Sequence, residues 1–197
     1  MDLSRRTALS ISIINLIFMS RSALAKNLSV DEKELNVLEQ TPNYLKLYIN
    51  NPVVFGQGTY TFWGFDVYKA RLWTESNSFQ PEAWEQHRFA LELTYLRDAE
   101  GKAIAKRSID EIAKQRELTK YKTQAWLNTL ENLFPNIKKT QKLTGIYVPN
   151  NSAKFFFDSN LLGEIKDPEF TKSFFDIWFS NQTSAPELRK KLFQASF

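Results

Sequence analysis

The chain has 197 residues, a formal net charge of +4 and no cysteine. The lack of cysteine excludes thiolate metal sites, thiol catalysis and a lipoprotein anchor. The charge is too nearly balanced to argue for a nucleic-acid partner or for electrostatic attraction to an anionic membrane. No G-x-G-x-x-G or P-loop is present, and no His/Cys/carboxylate cluster has metal-ligand spacing, so we expect no cofactor and no metal.

The first 25 residues have the layout of a cleaved signal peptide. Arg5 and Arg6 precede an apolar stretch at 7–19, and "SALA" places Ala23 and Ala25 in the small-x-small pattern of a cleavage site. The stretch is shorter than the roughly 20 apolar residues of a membrane span. We therefore predict a periplasmic or secreted protein with one domain at 26–197 and no stable membrane span after cleavage. The alternative is a retained amphipathic anchor.

The first half of the chain predicts strands. Apolar and polar residues alternate in "YLKLYIN" (44–50), which predicts a strand. The stretch "TFWGFDVYKARLW" (61–73) has the composition of a strand and is apolar on both of its alternating faces. In "FALELTYLR" (89–97) one face holds Phe89, Leu91, Leu93 and Tyr95. The intervening "NNPVVFGQG" (50–58) predicts a turn-rich connection, with its glycines serving the turn.

The second half predicts helices and then further strands. Apolar spacings of three and four residues indicate helices from Lys102 to about Leu118 and from about Lys122 to Leu133. "KLTGIYVP" and "AKFFFD" predict strands, and "DSN" turns the chain into "LLGEI". Asp167–Pro168 is a typical helix start, and Ser184 with Glu187 fits a capping box for a last helix. This order predicts an α+β domain, an antiparallel sheet with a layer of helices packed on it.

The polar residues of these elements leave two interpretations open. Strand parity puts Asp66 and Tyr68 on one face and Arg71 on the other. On the first helix Arg107 and Glu111 are one turn apart, which fits an exposed ion pair. The same residues, with Ser108 beside them, also fit a buried network between sheet and helix that fixes the packing or holds a polar head group. The lone histidine, His87, is more typical of a surface position than of catalysis.

Four blocks of the chain resemble the bacterial chalcone-isomerase-like family of exported proteins. They are "GFDVYKARLW", "FALELTYLRDAEGKAIAKRSIDEI", "LTGIYVP" and "LGEIKDPEFTKSFFDIWFSNQTSAPELRKKL". The resemblance runs in order from about Val53 to Leu192, and the C-terminal block is its most specific part. It implies a large antiparallel sheet, a helix layer and an apolar cleft between them. Plant members with this fold include intramolecular lyases that close chalcones to flavanones, and relatives that bind fatty acids without catalysis.

The resemblance also implies candidate site residues. The family's polar positions fall on Tyr68, Arg71, Glu92, Tyr95, Arg107, Ser108 and Glu111, which we take as candidate ligand-binding residues. The catalytic tyrosine of the plant enzymes falls at Ile104, their cleft asparagine near Glu111, and their substrate-positioning arginine at Thr59 or Tyr60. This departure from the plant set argues against the plant reaction, because Ile104 has no hydroxyl, and neither Thr59 nor Tyr60 carries a guanidinium to stabilise an enolate.

Three functions follow as hypotheses. The first is a non-catalytic binder of a small amphipathic, fatty-acid-like ligand. The second is an intramolecular lyase or isomerase with a diverged site, using Tyr68 or Tyr95 with Glu92 or Glu111. The third is a structural or interaction protein whose cleft is filled by its own side chains. A cavity of roughly 300 Å³ or more beside Tyr68 and Glu92 would favour the first two.

Overall fold

The computed structural model describes residues 41–75 and 79–194. Six antiparallel strands form one sheet in chain order: β1 (Pro52–Phe62), β2 (Phe65–Glu75), β3 (Phe89–Tyr95), β4 (Lys142–Val148), β5 (Ser152–Phe157) and β6 (Asn160–Ile165). The α-helices are α1 (Gly101–Gln115), α2 (Lys120–Leu133), α3 (Pro168–Phe179) and α4 (Pro186–Leu192). Two short 3₁₀ helices cover Asn43–Leu47 and Pro81–Gln86. The predicted α+β class is confirmed.

One face of the sheet carries the helices and most of the core. Phe89 of β3 is fully buried and stacks on Tyr147 of β4, with ring centres 5.0 Å apart. Phe175 and Phe179 of α3 meet the Phe89 ring edge-on. Each such side chain contributes roughly 1.5–3 kcal/mol by leaving water, so α3 is anchored across the centre of the sheet.

The other face is covered by the 3₁₀ helix Asn43–Leu47, where the alternation in "YLKLYIN" had predicted a strand. That prediction was wrong because the same residues also repeat at a spacing of four. Leu45 and Ile49 are buried in a second core cluster, and Tyr44 and Tyr48 both pack on the Phe156 ring. A helical turn therefore buries the apolar residues that a strand would have alternated.

The segment 61–73 is a hairpin and not a single strand. Trp63 and Gly64 both have positive φ, at 51° and 80°, and they form the two-residue turn that joins β1 to β2. The stretch predicted as a turn-rich connection is β1. Its Gly56 does not serve a turn: a Cβ there would lie 2.1 Å from the Leu192 carbonyl oxygen, so glycine lets α4 pack directly on the strand.

The structure confirms the predicted start of helix α3 but not the predicted cap of helix α4. Asp167 caps α3 by accepting a hydrogen bond from the Phe170 amide at 3.0 Å. Helix α4 begins after Ala185 without a side-chain cap, so the predicted capping box was wrong. The Ser184 hydroxyl is engaged elsewhere, as described below.

The predicted signal peptide at 1–25 lies outside the described residues. Within residues 41–75 and 79–194, no helix combines the length and the apolar character needed to cross a bilayer.

Candidate functional site

A cavity of about 300 Å³ lies between the β1–β4 part of the sheet and helices α1 and α3. Its wall is mostly apolar, formed by residues such as Leu93, Ile104, Leu143, Phe174 and Ile177. The volume is at the lower end of the roughly 300–1,000 Å³ that is typical of small-molecule sites. The cavity lies beside Tyr68, as expected, but not beside Glu92.

Three tyrosines form a row across the strands at the cavity wall. Tyr60 pairs with Tyr68, and Tyr68 pairs with Tyr95, in the register of β1, β2 and β3. The rings of Tyr60 and Tyr68 stack with centres 5.1 Å apart, and those of Tyr68 and Tyr95 are 5.8 Å apart. The Trp178 indole N–H donates a hydrogen bond of 2.9 Å to the Tyr68 hydroxyl. This bond fixes the Tyr68 phenol against α3.

The phenol groups of Tyr68 and Tyr95 stay protonated. Burial raises the pKa of Tyr68 well above its ordinary value, and the hydrogen bond from Trp178 offsets only part of that effect. Burial alone raises the pKa of Tyr95 in the same direction. Both groups therefore face the cavity as neutral hydrogen-bonding groups and not as phenolate bases.

A charged cluster lies at the rim of the cavity on α1. One Glu111 oxygen, Oε1, is 2.6 Å from Arg107 Nη2 and 2.8 Å from Lys114 Nζ. The other, Oε2, accepts a 2.6 Å hydrogen bond from the Ser184 hydroxyl. The Glu111 side chain is 7 % exposed and the Arg107 side chain 46 %. The pair is thus neither a fully exposed ion pair nor a fully buried network, because Arg107 reaches solvent.

The environment of Glu111 keeps this carboxyl ionised. Burial by itself would raise its pKa, but hydrogen bonds from Lys114 and Ser184 and the charge of Arg107 outweigh burial, so the pKa is lowered. Glu111 is therefore a weak base with a fixed negative charge.

A β-bulge decides which polar residues of β2 face the cavity. Tyr60 pairs with Tyr68 and Thr61 with Asp66, which leaves Val67 as an extra residue on β2. Val67 and Tyr68 both line the cavity, whereas Asp66 binds the Thr61 hydroxyl at 2.7 Å on the opposite side of the hairpin. The parity prediction that paired Asp66 with Tyr68 was wrong, because one inserted residue reverses the faces.

The structure brings five of the seven candidate residues to the cavity: Tyr68, Tyr95, Arg107, Ser108 and Glu111. The Ser108 hydroxyl is bonded back to the Ile104 carbonyl at 2.9 Å. Arg71 and Glu92 lie on the opposite face, directly paired across β2 and β3. Arg71 donates to Gln57 there, and Glu92, 1 % exposed, meets Lys142 at 3.1 Å. These two residues do not share a site with the other five.

A second, more polar hollow of about 440 Å³ adjoins the cavity. Arg107 lines both spaces, and Lys114 and Lys191 line only the second. Arg107 therefore lies at the boundary between the apolar cavity and the polar hollow.

Sequence reasoning missed three contributors to the site: Tyr60, Trp178 and Ser184. Trp178 belonged to the apolar stripe of α3 and gave no separate signal. Ser184 had been assigned to a cap, and its partner Glu111 is distant in sequence. The lone histidine packs its ring against Phe79, away from the cavity. Within the described part of the chain no group of histidine and carboxylate residues is placed to hold a metal ion.

Comparison with known proteins bears on the family and the fold. The model of the family described as chalcone isomerase-like matches residues 41–194, and the chain therefore belongs to that family. Among solved structures, a crystal structure of an Arabidopsis thaliana fatty-acid binding protein has the same fold. It superposes with a TM-score of 0.55 at 10 % identity, over 73 % of this chain and 87 % of that one. A search of curated proteins found no match.

Proposed function

We propose that this chain is an exported, non-catalytic binder of a small amphipathic molecule with a fatty-acid-like tail. The observation that carries the proposal is an apolar cavity of about 300 Å³ with the Arg107 guanidinium at its rim. A volume at the low end of the ligand-site range fits one short or medium acyl chain better than a two-chain lipid. The open cavity also argues against a cleft filled by its own side chains.

The charges at the rim favour an anionic head group. Glu111 is shared between Arg107 and Lys114, so one carboxylate faces two cations and a positive charge remains. The Arg107 side chain is about half exposed and also lines the adjoining hollow. Arginine binds carboxylates through two parallel hydrogen bonds, which matches this position.

The ionisation states argue against general-base catalysis by these groups. A general base works best when its pKa lies near the operating pH, whereas Glu111 has a lowered pKa and is held by two cations. Tyr68 and Tyr95 are kept neutral by burial, and Ile104 brings no hydroxyl. The alternative, an intramolecular lyase or isomerase with a diverged site, cannot use Glu92 with these tyrosines, because Glu92 faces the other side of the sheet.

Two further observations support parts of the proposal. The Arabidopsis protein with the same fold is named for fatty-acid binding, which makes an acyl ligand the first class to test. The arginines, apolar stretch and small-x-small site within residues 1–25 support export to the periplasm or beyond. Detection of a processed chain beginning at Lys26 in the periplasmic or culture fraction would test export directly.

The experiment pairs two arginine variants from the two faces of the sheet. Native mass spectrometry of the protein from its host first asks whether a lipid co-purifies. Dodecanoate is then titrated into the wild type, Arg107→Gln and Arg71→Gln. We expect Arg107→Gln to weaken binding about tenfold or more, since a hydrogen bond to a charged group contributes about 1.5–3 kcal/mol. Arg71→Gln makes the same charge change on the opposite face and should leave affinity unchanged.

Two results would contradict the proposal. One is an empty protein that also fails to bind dodecanoate. The other is turnover of a chalcone by the purified chain, which would restore the lyase interpretation.

A further inference from the structure

The tip of the β1–β2 hairpin exposes three aromatic side chains in four residues. Phe62 is 44 % exposed, Trp63 87 % and Phe65 65 %, with Gly64 between them. The other four tryptophans of the chain are all buried. A Cβ built at Gly64 would meet nothing within 4 Å, so the turn stands clear of the rest of the described chain.

The demands of folding do not explain a tryptophan at this position. Trp63 and Gly64 both adopt positive φ, which is the backbone of a two-residue turn that prefers Asn-Gly or Asp-Gly. A large side chain is disfavoured in the left-handed region, and here it gains almost no burial in return. Such a residue at a strained and exposed position is a candidate for function outside the fold.

Two arginines pack against two of the exposed rings. The Arg97 guanidinium carbon is 5.6 Å from the centre of the Phe65 ring, and that of Arg107 is 5.1 Å from the Phe62 ring. Exposed aromatic rings next to guanidinium groups are typical of segments at a membrane interface. The rings enter the headgroup and acyl boundary, and the cations meet the phosphates.

We propose that the tip Phe62–Phe65 inserts into the interface of a phospholipid bilayer. The area argues for a bilayer over a protein partner. Three aromatic side chains of 150–250 Å² each, exposed to these fractions, offer on the order of 400 Å². A stable protein interface needs roughly 800 Å² from each partner. A small convex tip suits insertion into a deformable medium, and because apolar contact carries it, the near-balanced net charge is no obstacle.

The tip is also part of the cavity entrance. Phe62 lines both the apolar cavity and the polar hollow, and Arg107 lies between them. A bilayer-docked tip would therefore hold the entrance at the membrane surface, where an amphipathic molecule can pass between bilayer and cavity. This delivery role rests on the proposed function, whereas the docking itself does not.

The test measures the fluorescence of Trp63 and not vesicle binding as such. The reason is that the full chain also carries the apolar stretch 7–19, which can attach to vesicles independently. Vesicles of phosphatidylcholine with brominated acyl chains are added to the full chain, and tryptophan emission is recorded. We expect Trp63 emission to shift to the blue and to be quenched by the bromines, while acrylamide in solution loses access to it. In Trp63→Asn this quenching should disappear.

Two variants serve as controls. Trp63→Asn restores the Asn-Gly turn preference, so its thermal midpoint should equal or exceed that of the wild type. Tyr121→Asn removes an 83 % exposed aromatic from α2 and should leave the Trp63 quenching unchanged. Dodecanoate titration of Trp63→Asn without vesicles separates the two proposals, because the cavity can bind whether or not the tip docks.

Three outcomes would overturn the proposal. The first is that Trp63 stays as accessible to acrylamide with vesicles as without them. The second is equal quenching by the bromines in the wild type and in Trp63→Asn. The third is a shielding of Trp63 that depends on protein concentration without any lipid, which would identify a second copy of the chain as the occupant.

Discussion

The two faces of the sheet hold the same kinds of polar residue and use them differently. On the helix side, Tyr68, Arg107 and Glu111 surround open space. On the opposite side, the Tyr44 ring stacks 4.7 Å from Phe156 and its hydroxyl donates to Thr144 at 2.9 Å. Residue type therefore does not identify the site. The two faces differ in the surroundings of these polar groups. On the helix side they border a cavity, and on the opposite side they are packed and hydrogen-bonded to other side chains.

The difference has a physical origin in what covers each face. The 3₁₀ helix Asn43–Leu47 covers one side, and its Leu45, with Ile49 just beyond the helix, fills the space against Ile146. On the other side, the α1 residues at the cavity include the small Ala103 and Ser108, and a bulge at Val67 turns an extra side chain toward the open space. Mutations on the filled face should therefore mainly lower the free energy of unfolding. Mutations on the open face should mainly change the affinity for a ligand.

The largest expected effect compares two isoleucines. Ile146→Ala on the filled face should lower the free energy of unfolding by about 2–5 kcal/mol, because it creates a new cavity. Ile104→Ala should cost less than about 1.5 kcal/mol, because its side chain already borders open space and alanine favours the helix. Urea denaturation of both variants measures the difference. Equal losses would contradict the contrast between the faces.

The next comparison concerns two carboxylates. Glu111→Gln should lower stability by about 1–3 kcal/mol, because Arg107 and Lys114 lose their shared partner. It should also tighten dodecanoate binding by up to about tenfold, since no carboxylate then competes for Arg107. Glu92→Gln on the opposite face should leave affinity unchanged. Calorimetric titration provides the measurement, and weaker binding by Glu111→Gln would rule out an anion site at Arg107.

The contribution of Glu111 should depend on pH in a defined direction. The folded-state pKa of this carboxyl lies below its ordinary value, so its stabilising effect is present above about pH 4.5 and is lost as the pH falls through the lowered value. The stability difference between the wild type and Glu111→Gln should therefore be constant near pH 7 and shrink toward pH 3. A difference that grows on acidification would mean that the pKa is raised.

The smallest expected effect concerns Ser184, whose hydroxyl bonds to Glu111 and does not cap α4. Ser184→Ala should cost about 0.5–3 kcal/mol through its lost hydrogen bond to Glu111. A double-mutant cycle with Glu111→Ala should show coupling of at least about 0.5 kcal/mol, whereas a cycle with Glu187→Ala should show none. Coupling to Glu187 in place of Glu111 would restore the capping box.

Much of the fold could be predicted from periodicity. Strand β3 and helix α1 have clear periods of 2 and 3.6, and both lie within a few residues of their predicted bounds. Strand β1 was missed because Pro52, Gly56 and Gly58 read as turn residues. In the sheet, Gly56 gives room to α4, a long-range contact without a local signal.

The site could be predicted only in part. Strand parity separates Arg71 from Tyr68, and the structure has that separation. The bulge at Val67 depends on how β1 and β2 pair, so no local pattern indicates that Asp66 changes faces. The bond from Ser184 to Glu111 likewise depends on how the α4 start meets α1. Faces were predictable from one strand away from the bulge, whereas the bulge itself and the hydrogen-bond partners required the assembled sheet.

Filling the cavity tests the central claim most directly. Ile104→Trp places an indole in the apolar chamber, and Leu161→Trp adds the same ring at an exposed position on β6. Calorimetric titration of dodecanoate should show binding to the wild type and to Leu161→Trp, and none to a folded Ile104→Trp. Undiminished binding by Ile104→Trp would show that the ligand does not occupy this cavity.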